Sequence, residues 1–279
     1  MKINLNKKIT RILTITGYVA IAGVVLVLMS FANHRSTKVL CEGVVINIED
    51  ESIKGFVDRS DVMEMILSKG KKIIGSPLVD INTNVLEKII DANPYVFKSE
   101  VYSTIDGWVH VDIKQRSPVL RIINSKDESF YIDDRGKFMP LAEKYSEPVL
   151  VANGNLNDTY VQQQLAPFDE ELTLESDSLE KLPVLTQLFL LAEKLKSDSS
   201  WDAMFEQIYV NENNEIELIP RLGNQVILIG DITNLNQKLE KLDNLYKHGL
   251  PSTGWEQYEL INLKYKNQVV CKRKDNKQS

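Results

Sequence analysis

From Ile12 to Ala32 the chain runs ILTITGYVAIAGVVLVLMSFA, 21 residues without a charged side chain. A helix rises about 1.5 Å per residue, so this run would extend about 32 Å, the thickness of a bilayer's hydrocarbon core. It predicts a single N-terminal transmembrane helix over 12–32, with a cytoplasmic tail of residues 1–11. Lys2, Lys7, Lys8 and Arg11 precede the run; Arg35, Lys38 and, counted generously, His34 follow it. Positive charge is retained on the cytoplasmic side, which favours an inward N-terminus and an exported remainder. The alternative is a cleaved signal peptide, with Ser30-Phe31-Ala32 as a small-x-small site, although the run exceeds the 7–15 residues of a typical signal core. Thr16 and Ala20 form one small-xxx-small pair, a weak helix-packing signal.

The formal net charge of −6 divides at Lys38. Residues 1–38 hold six basic side chains and no acid, leaving 27 basic against 39 acidic in the rest. That acidity argues against nucleic acid as a main partner, because such binding draws its affinity from Lys and Arg on phosphates. Cys41 and Cys271 are the only cysteines. They form no disulfide framework; two free thiols are expected, with a single bridge as the alternative.

Residues 39–117 read as one module. EGVVINI at 42–48 is a β-branched run, and Ser60 is a candidate N-cap for a helix ending before Gly70. A second helix is expected from Thr83 to Ala92, with Val85, Leu86, Ile89 and Ile90 on one face and Asn93-Pro94 at its end. Strands follow at Val96–Ile105 and Trp108–Lys114, joined by Asp106-Gly107, a strong hairpin turn. The order β-α-α-β-β allows two helices to cover one face of a three-stranded sheet.

Residues 118–273 read as a second, mixed α/β domain with a large, mostly antiparallel sheet, so the whole is α+β. Short strands are expected over 119–151, interrupted by Asp133-Asp134-Arg135-Gly136, Pro140 and Pro148. A helix is predicted from Ser178 to Lys196 with Pro183 in its first turn. Strands at Ile208–Leu218 and Gln225–Gly230 flank turns at Asn213-Asn214 and Gly223-Asn224. A helix from Asn234 to Lys247, stopped by Gly249, carries Leu235, Leu239, Leu242 and Tyr246 on one face, the ordinary mark of core packing. A strand pair and a basic tail, 274–279, complete the chain.

Nothing selects a catalytic centre. His34, His110 and His248 have no metal-ligand spacing, and the sequence lacks the zinc, nucleophile-elbow and phosphate-loop motifs. Glu49-Asp50-Glu51 and Asp169-Glu170-Glu171 read as solvated loops, while Asp133-Asp134 sits in a predicted turn. No enzyme, metal or cofactor is expected. The C-terminal stretch offers binding instead: Leu263 to Cys271 alternates in strand fashion, and a last strand can leave an unpaired edge to which another chain adds a strand.

These segments resemble the bacterial cell-division family FtsQ/DivIB, whose first exported module is a POTRA domain. Gly75-Ser76-Pro77-Leu78-Val79-Asp80-Ile81 is similar to the segment that introduces that module's second helix, and Asn93-Pro94-Tyr95-Val96 to the turn after it. Val111-Asp112-Ile113-Lys114-Gln115-Arg116-Ser117-Pro118-Val119 resembles the exit from the third strand, with Gln115 where the family has glutamate. Tyr131-Ile132-Asp133-Asp134-Arg135-Gly136 and Glu259-Leu260-Ile261-Asn262-Leu263-Lys264-Tyr265 are similar to later family segments; the acidic stretch Asp169–Ser178 looks inserted.

The resemblance implies a single-pass inner-membrane protein at the septum, its bulk periplasmic, which binds FtsB and FtsL and other divisome membrane proteins. It places partner binding at Leu263, Tyr265, Lys266, Asn267, Gln268, Val269 and Val270, and a second candidate surface at Ser99 to Lys114. Arg116 and Pro118 read as the inter-domain joint, because proline forces Ser117 extended and stiffens a short connection. The alternatives are a POTRA-containing export or assembly factor and a membrane-anchored hydrolase.

Overall fold

The computed structural model describes residues 7–36, 39–49, 55–68, 72–160, 165, 179 and 181–274. The chain divides into two compact units, Met1–Gln115 and Arg116–Ser279.

The first unit opens with helix α1, Lys7–Ser36. Between residues 15 and 29 its side chains are exposed on every face, including Tyr18, Val19, Leu26 and Met29. No helix among the described residues is long and apolar enough to cross a membrane. The expected span 12–32 extends past both ends of the stretch whose side chains are described.

Strands β1 (Gly43–Ile48), β2 (Val96–Ser103) and β3 (Trp108–Gln115) form a sheet of order β1-β3-β2. β1 runs parallel to β3, and β2 antiparallel to it. Helices α2 (Arg59–Leu67) and α3 (Thr83–Asp91) contribute buried Val62, Ile66, Leu86 and Ile90, while alternate strand positions contribute Val101, Val109, Val111 and Ile113. The cap of α2 differs from expectation. Asp58 is the N-cap and forms a capping box with Asp61, which satisfies two amide donors, while Ser60 lies inside the helix and bonds back to Asp58. Asn82 caps α3 by accepting from Val85 N–H.

The β2–β3 hairpin turns at Gly107, with φ of +98°, a conformation glycine adopts without strain. A Cβ there would also lie 2.8 Å from Leu40 O. Gln115 has a definite place: its Oε1 accepts from Val57 N–H at 3.0 Å.

The second unit is built on nine strands. They are β4 (Pro118–Ile123), β5 (Ser129–Asp133), β6 (Phe138–Pro140), β7 (Leu150–Gly154), β8 (Phe205–Val210), β9 (Ile216–Pro220), β10 (Val226–Gly230), β11 (Tyr258–Asn262) and β12 (Val270–Arg273). Their order is β12-β11-β10-β9-β8-β7-β4-β5-β6. The pairs β4–β7, β7–β8 and β10–β11 are parallel and the other five antiparallel. One continuous core joins the inner strand residues to Leu185, Leu188, Leu191 and Leu195 of α4 (Val184–Lys196).

Three expectations for this unit are corrected and one element is added. Helix α4 starts at Val184, with Pro183 as its N-cap outside the first turn, and residues 166–178, which include the acidic stretch, lie outside the described residues. A short helix, α5 (Ser199–Met204), follows; its six residues give too little periodicity to read from sequence. Gly249 does not stop the next helix. α6 (Leu235–Asn244) passes through a π turn, Leu245–Gly249, into α7 (Leu250–Thr253), and the stop is Gly254 at φ +96°. Residues 263–269 are not strand but a turn-containing connection.

Candidate functional site

The nine-stranded sheet has two edges, β6 and β12. β6 is three residues long and ends in Pro140, two ordinary devices that blunt an edge. β12 carries no proline. It pairs with β11 in the register Asn262↔Val270, Ile261↔Cys271, Leu260↔Lys272 and Tyr258↔Arg273, with a bulge at Glu259. Lys274 N–H donates inward to Gln257 O at 2.9 Å. Because main-chain polar groups alternate along an antiparallel strand, the N–H and C=O of Cys271 and Arg273 point to the open side.

Leu263 is fully buried, and its N–H donates to Leu228 O at 2.9 Å. Its role is to anchor the connection in the core. Tyr265 and Val270 are about half exposed, at 49% and 43%. Lys266, Asn267 and Gln268 are exposed on a turn in which Asn267 takes φ of +62°. Val269 is half-buried against the core with Cys271. Of the expected binding residues, then, only Val270 lies on the edge strand. The others, apart from Leu263, gather in the adjoining loop.

Two lysines fix that loop. From α6, Lys241 Nζ donates to Leu263 O at 3.0 Å and to Tyr265 O at 2.7 Å. Burial, and then the nearby Lys238 charge, hold the Lys241 ammonium below its usual pKa. Lys264 pairs with Glu215 of the β8–β9 turn, and that contact raises the lysine's pKa and lowers the glutamate's. Neither brace was legible in the sequence, since Lys241 and Glu215 look like solvated charges until the fold brings them to residues 263–265.

Arg116 and Pro118 lie at the start of the second unit. Arg116 Nη1 donates to Asp133 Oδ2 at 2.7 Å, with the two side chains 9% and 0% exposed. Asp133 Oδ1 also accepts from Arg135 N–H and Lys137 N–H. Asp133 therefore stands at the expected turn, and beyond that expectation it is a buried ion-pair partner that shapes the β5–β6 turn. Pro118 begins β4, and its carbonyl accepts from Lys196 Nζ at 3.1 Å.

In the first unit, His110 stacks on Tyr102 at 5.1 Å on the exposed sheet face. Among the described residues no group of His, Cys, Asp and Glu side chains could hold a metal ion. Cys41 and Cys271 are free thiols, and burial raises both pKa values.

What these two units define is a POTRA-like module followed by a mixed-sheet domain whose C-terminal strand, among the described residues, pairs on one side only. A POTRA-like domain profile matches residues 39–114, and a profile described as FtsQ/DivIB, C-terminal related, matches residues 117–272. The second match spans more than half of the chain, which therefore belongs to the FtsQ/DivIB family. No curated protein matches the chain.

Proposed function

We propose that this protein is a non-enzymatic divisome scaffold that binds a partner by strand addition to β12. The observation that carries the reading is the open β12 edge, with the Cys271 and Arg273 main-chain groups outward and Tyr265 and Val270 exposed beside it. In such complexes main-chain hydrogen bonds supply affinity and alternating side chains supply selectivity. The partner proposed, from the family resemblance, is a short strand of FtsB, accompanied by FtsL. The braced loop 263–269 would form one wall of that site, and Lys272 and Arg273 would favour an acidic partner segment.

The same reading makes α1 a single-pass inner-membrane anchor with its N-terminus in the cytoplasm and both units in the periplasm at the septum. The uncharged run 12–32 and the exposed apolar side chains of residues 15–29 support it. The domain limits 39–117 and 118–273 belong to this proposal, with Arg116 and Pro118 as the joint.

Photo-crosslinking from Tyr265 and Val270 in growing cells tests the binding role. The expected product contains a small coiled-coil membrane protein, and Tyr265→Lys or truncation after Lys264 is expected to give filamentous cells. Normal septation in both variants would overturn the proposal.

A further inference from the structure

The segment that follows α1 is held from two sides. Cys41 N–H donates to Ser76 O at 2.8 Å, Gly75 N–H to Cys41 O at 2.8 Å, and Leu78 N–H to Val39 O at 3.0 Å. On its other side Glu42 N–H donates to Gly107 O at 2.8 Å. These bonds bring two loops to the end of the unit where the chain arrives from α1: the β2–β3 hairpin tip and the 74–79 segment.

Both loops, and the arriving segment itself, present apolar side chains to solvent. Ile105 at the hairpin tip is 98% exposed, and Leu40, Ile74 and Val79 are each half exposed or more. Trp108, at the base of the tip, lies against Gly43 and is also exposed. Single exposed hydrophobics are ordinary, but here five surround one point of attachment.

The tether limits what can cover them. Ser36, the last residue of α1, and Val39 are three Cα steps apart, at most about 11 Å. Residues 33–36 add about 6 Å of helix beyond Ala32. A headgroup layer is roughly 5–8 Å thick, so the attachment end lies within about 10 Å of it if 12–32 spans the bilayer. We infer that this end of the POTRA-like unit docks on the membrane surface through Ile105, Leu40, Ile74, Val79 and Trp108. The inference rests on the anchor reading of α1. Tryptophan favours the boundary between lipid and water. Glu42 and Asp106 beside the tip oppose deep insertion into anionic lipid, while Arg35 and Lys38 in the tether offset them, so the contact is shallow and interfacial. It sets the tilt of the unit on the membrane.

The test uses the full chain with Cys271→Ser, in vesicles of phosphatidylethanolamine and phosphatidylglycerol, labelled with an environment-sensitive fluorophore at Ile105→Cys or, as a control in the second unit, at Leu222→Cys. Lipids carrying a nitroxide at the headgroup or shallow in the chain should quench the label at 105 by about two-fold or more, the depth expected of an interfacial side chain, and leave that at 222 bright. Alkali-resistant co-flotation with the vesicles reports the anchor separately. Co-flotation with no quenching at 105 overturns the docking and leaves the anchor standing; failure to co-float overturns both. A label at 105 that stays bright in vesicles but crosslinks to another protein in cells assigns the surface to that protein and also overturns the inference.

Discussion

Replacing Arg116 by methionine would leave the Asp133 carboxylate fully buried, with the Arg135 and Lys137 amides as its remaining partners among the contacts described above. Breaking a buried ion pair from one side costs about 3–5 kcal/mol, because a charge remains where water cannot reach it. At about 1.4 kcal/mol per factor of ten, that is a hundred-fold or greater loss of protection against hydrogen exchange. The amides of β4 and β5 should show it, since Pro118 pairs with Asp133 in their register. Peptides from β2 and β3, in the other unit, provide the internal reference. The double variant Arg116→Met/Asp133→Leu removes both charges and should recover most of the loss. The reasoning is refuted if Arg116→Met changes protection in β4–β5 by less than about three-fold, the range of an ordinary surface substitution.

Three further outcomes follow from the contacts at the edge and in the POTRA-like unit. Lys241→Met withdraws a charged donor from the Leu263 and Tyr265 carbonyls; a loss of about 1.5–3 kcal/mol should appear as faster exchange over 263–269 and partner binding weakened about ten-fold by titration calorimetry. Gln115→Ala orphans the Val57 amide and should lower first-unit stability by about 1–2 kcal/mol in exchange measurements, whereas Gln115→Glu keeps the acceptor and should cost nothing; equal losses would contradict this. At Asp231, burial pushes the pKa up, but the Thr233 hydroxyl bond and the Lys238 ammonium outweigh it and hold the carboxyl below 3.8. Its stabilisation is present above the unfolded pKa and lost as pH falls through the lowered folded value. Asp231→Asn should therefore flatten the acid limb of a stability titration, and an unchanged limb would count against the assignment.

The POTRA-like unit was nearly all legible because its signals are local. Asp106-Gly107 marks the hairpin, the alternation of Val109, Val111 and Ile113 marks a strand with one buried face, and Asn93-Pro94 closes a helix. What failed there was a choice between neighbouring caps, Asp58 and Ser60, which only the geometry at Asp61 decides. The C-terminal edge was legible in part. Alternation from Leu263 to Cys271 looks like one strand, yet Leu263 is held by β10 and Lys241, Asn267 adopts a left-handed conformation, and pairing resumes only at Val270. Those constraints come from residues distant in sequence, so a periodicity confined to nine positions could not reveal them. The turn at Asp133 was legible, but its buried ion pair was not, for the same reason: its partner Arg116 is 17 positions away.

The central claim is that β12 accepts a strand, and the main-chain amides of Cys271 and Arg273 test it most directly. Hydrogen exchange at single-residue resolution, on the full chain in membrane mimetic with and without the FtsB–FtsL pair, would read both. Strand addition predicts that these two amides gain strong protection on binding, while those of Val270 and Lys272, which face β11, change little. Binding that leaves Cys271 and Arg273 exchanging as fast as in the free protein would place the partner elsewhere and contradict the account.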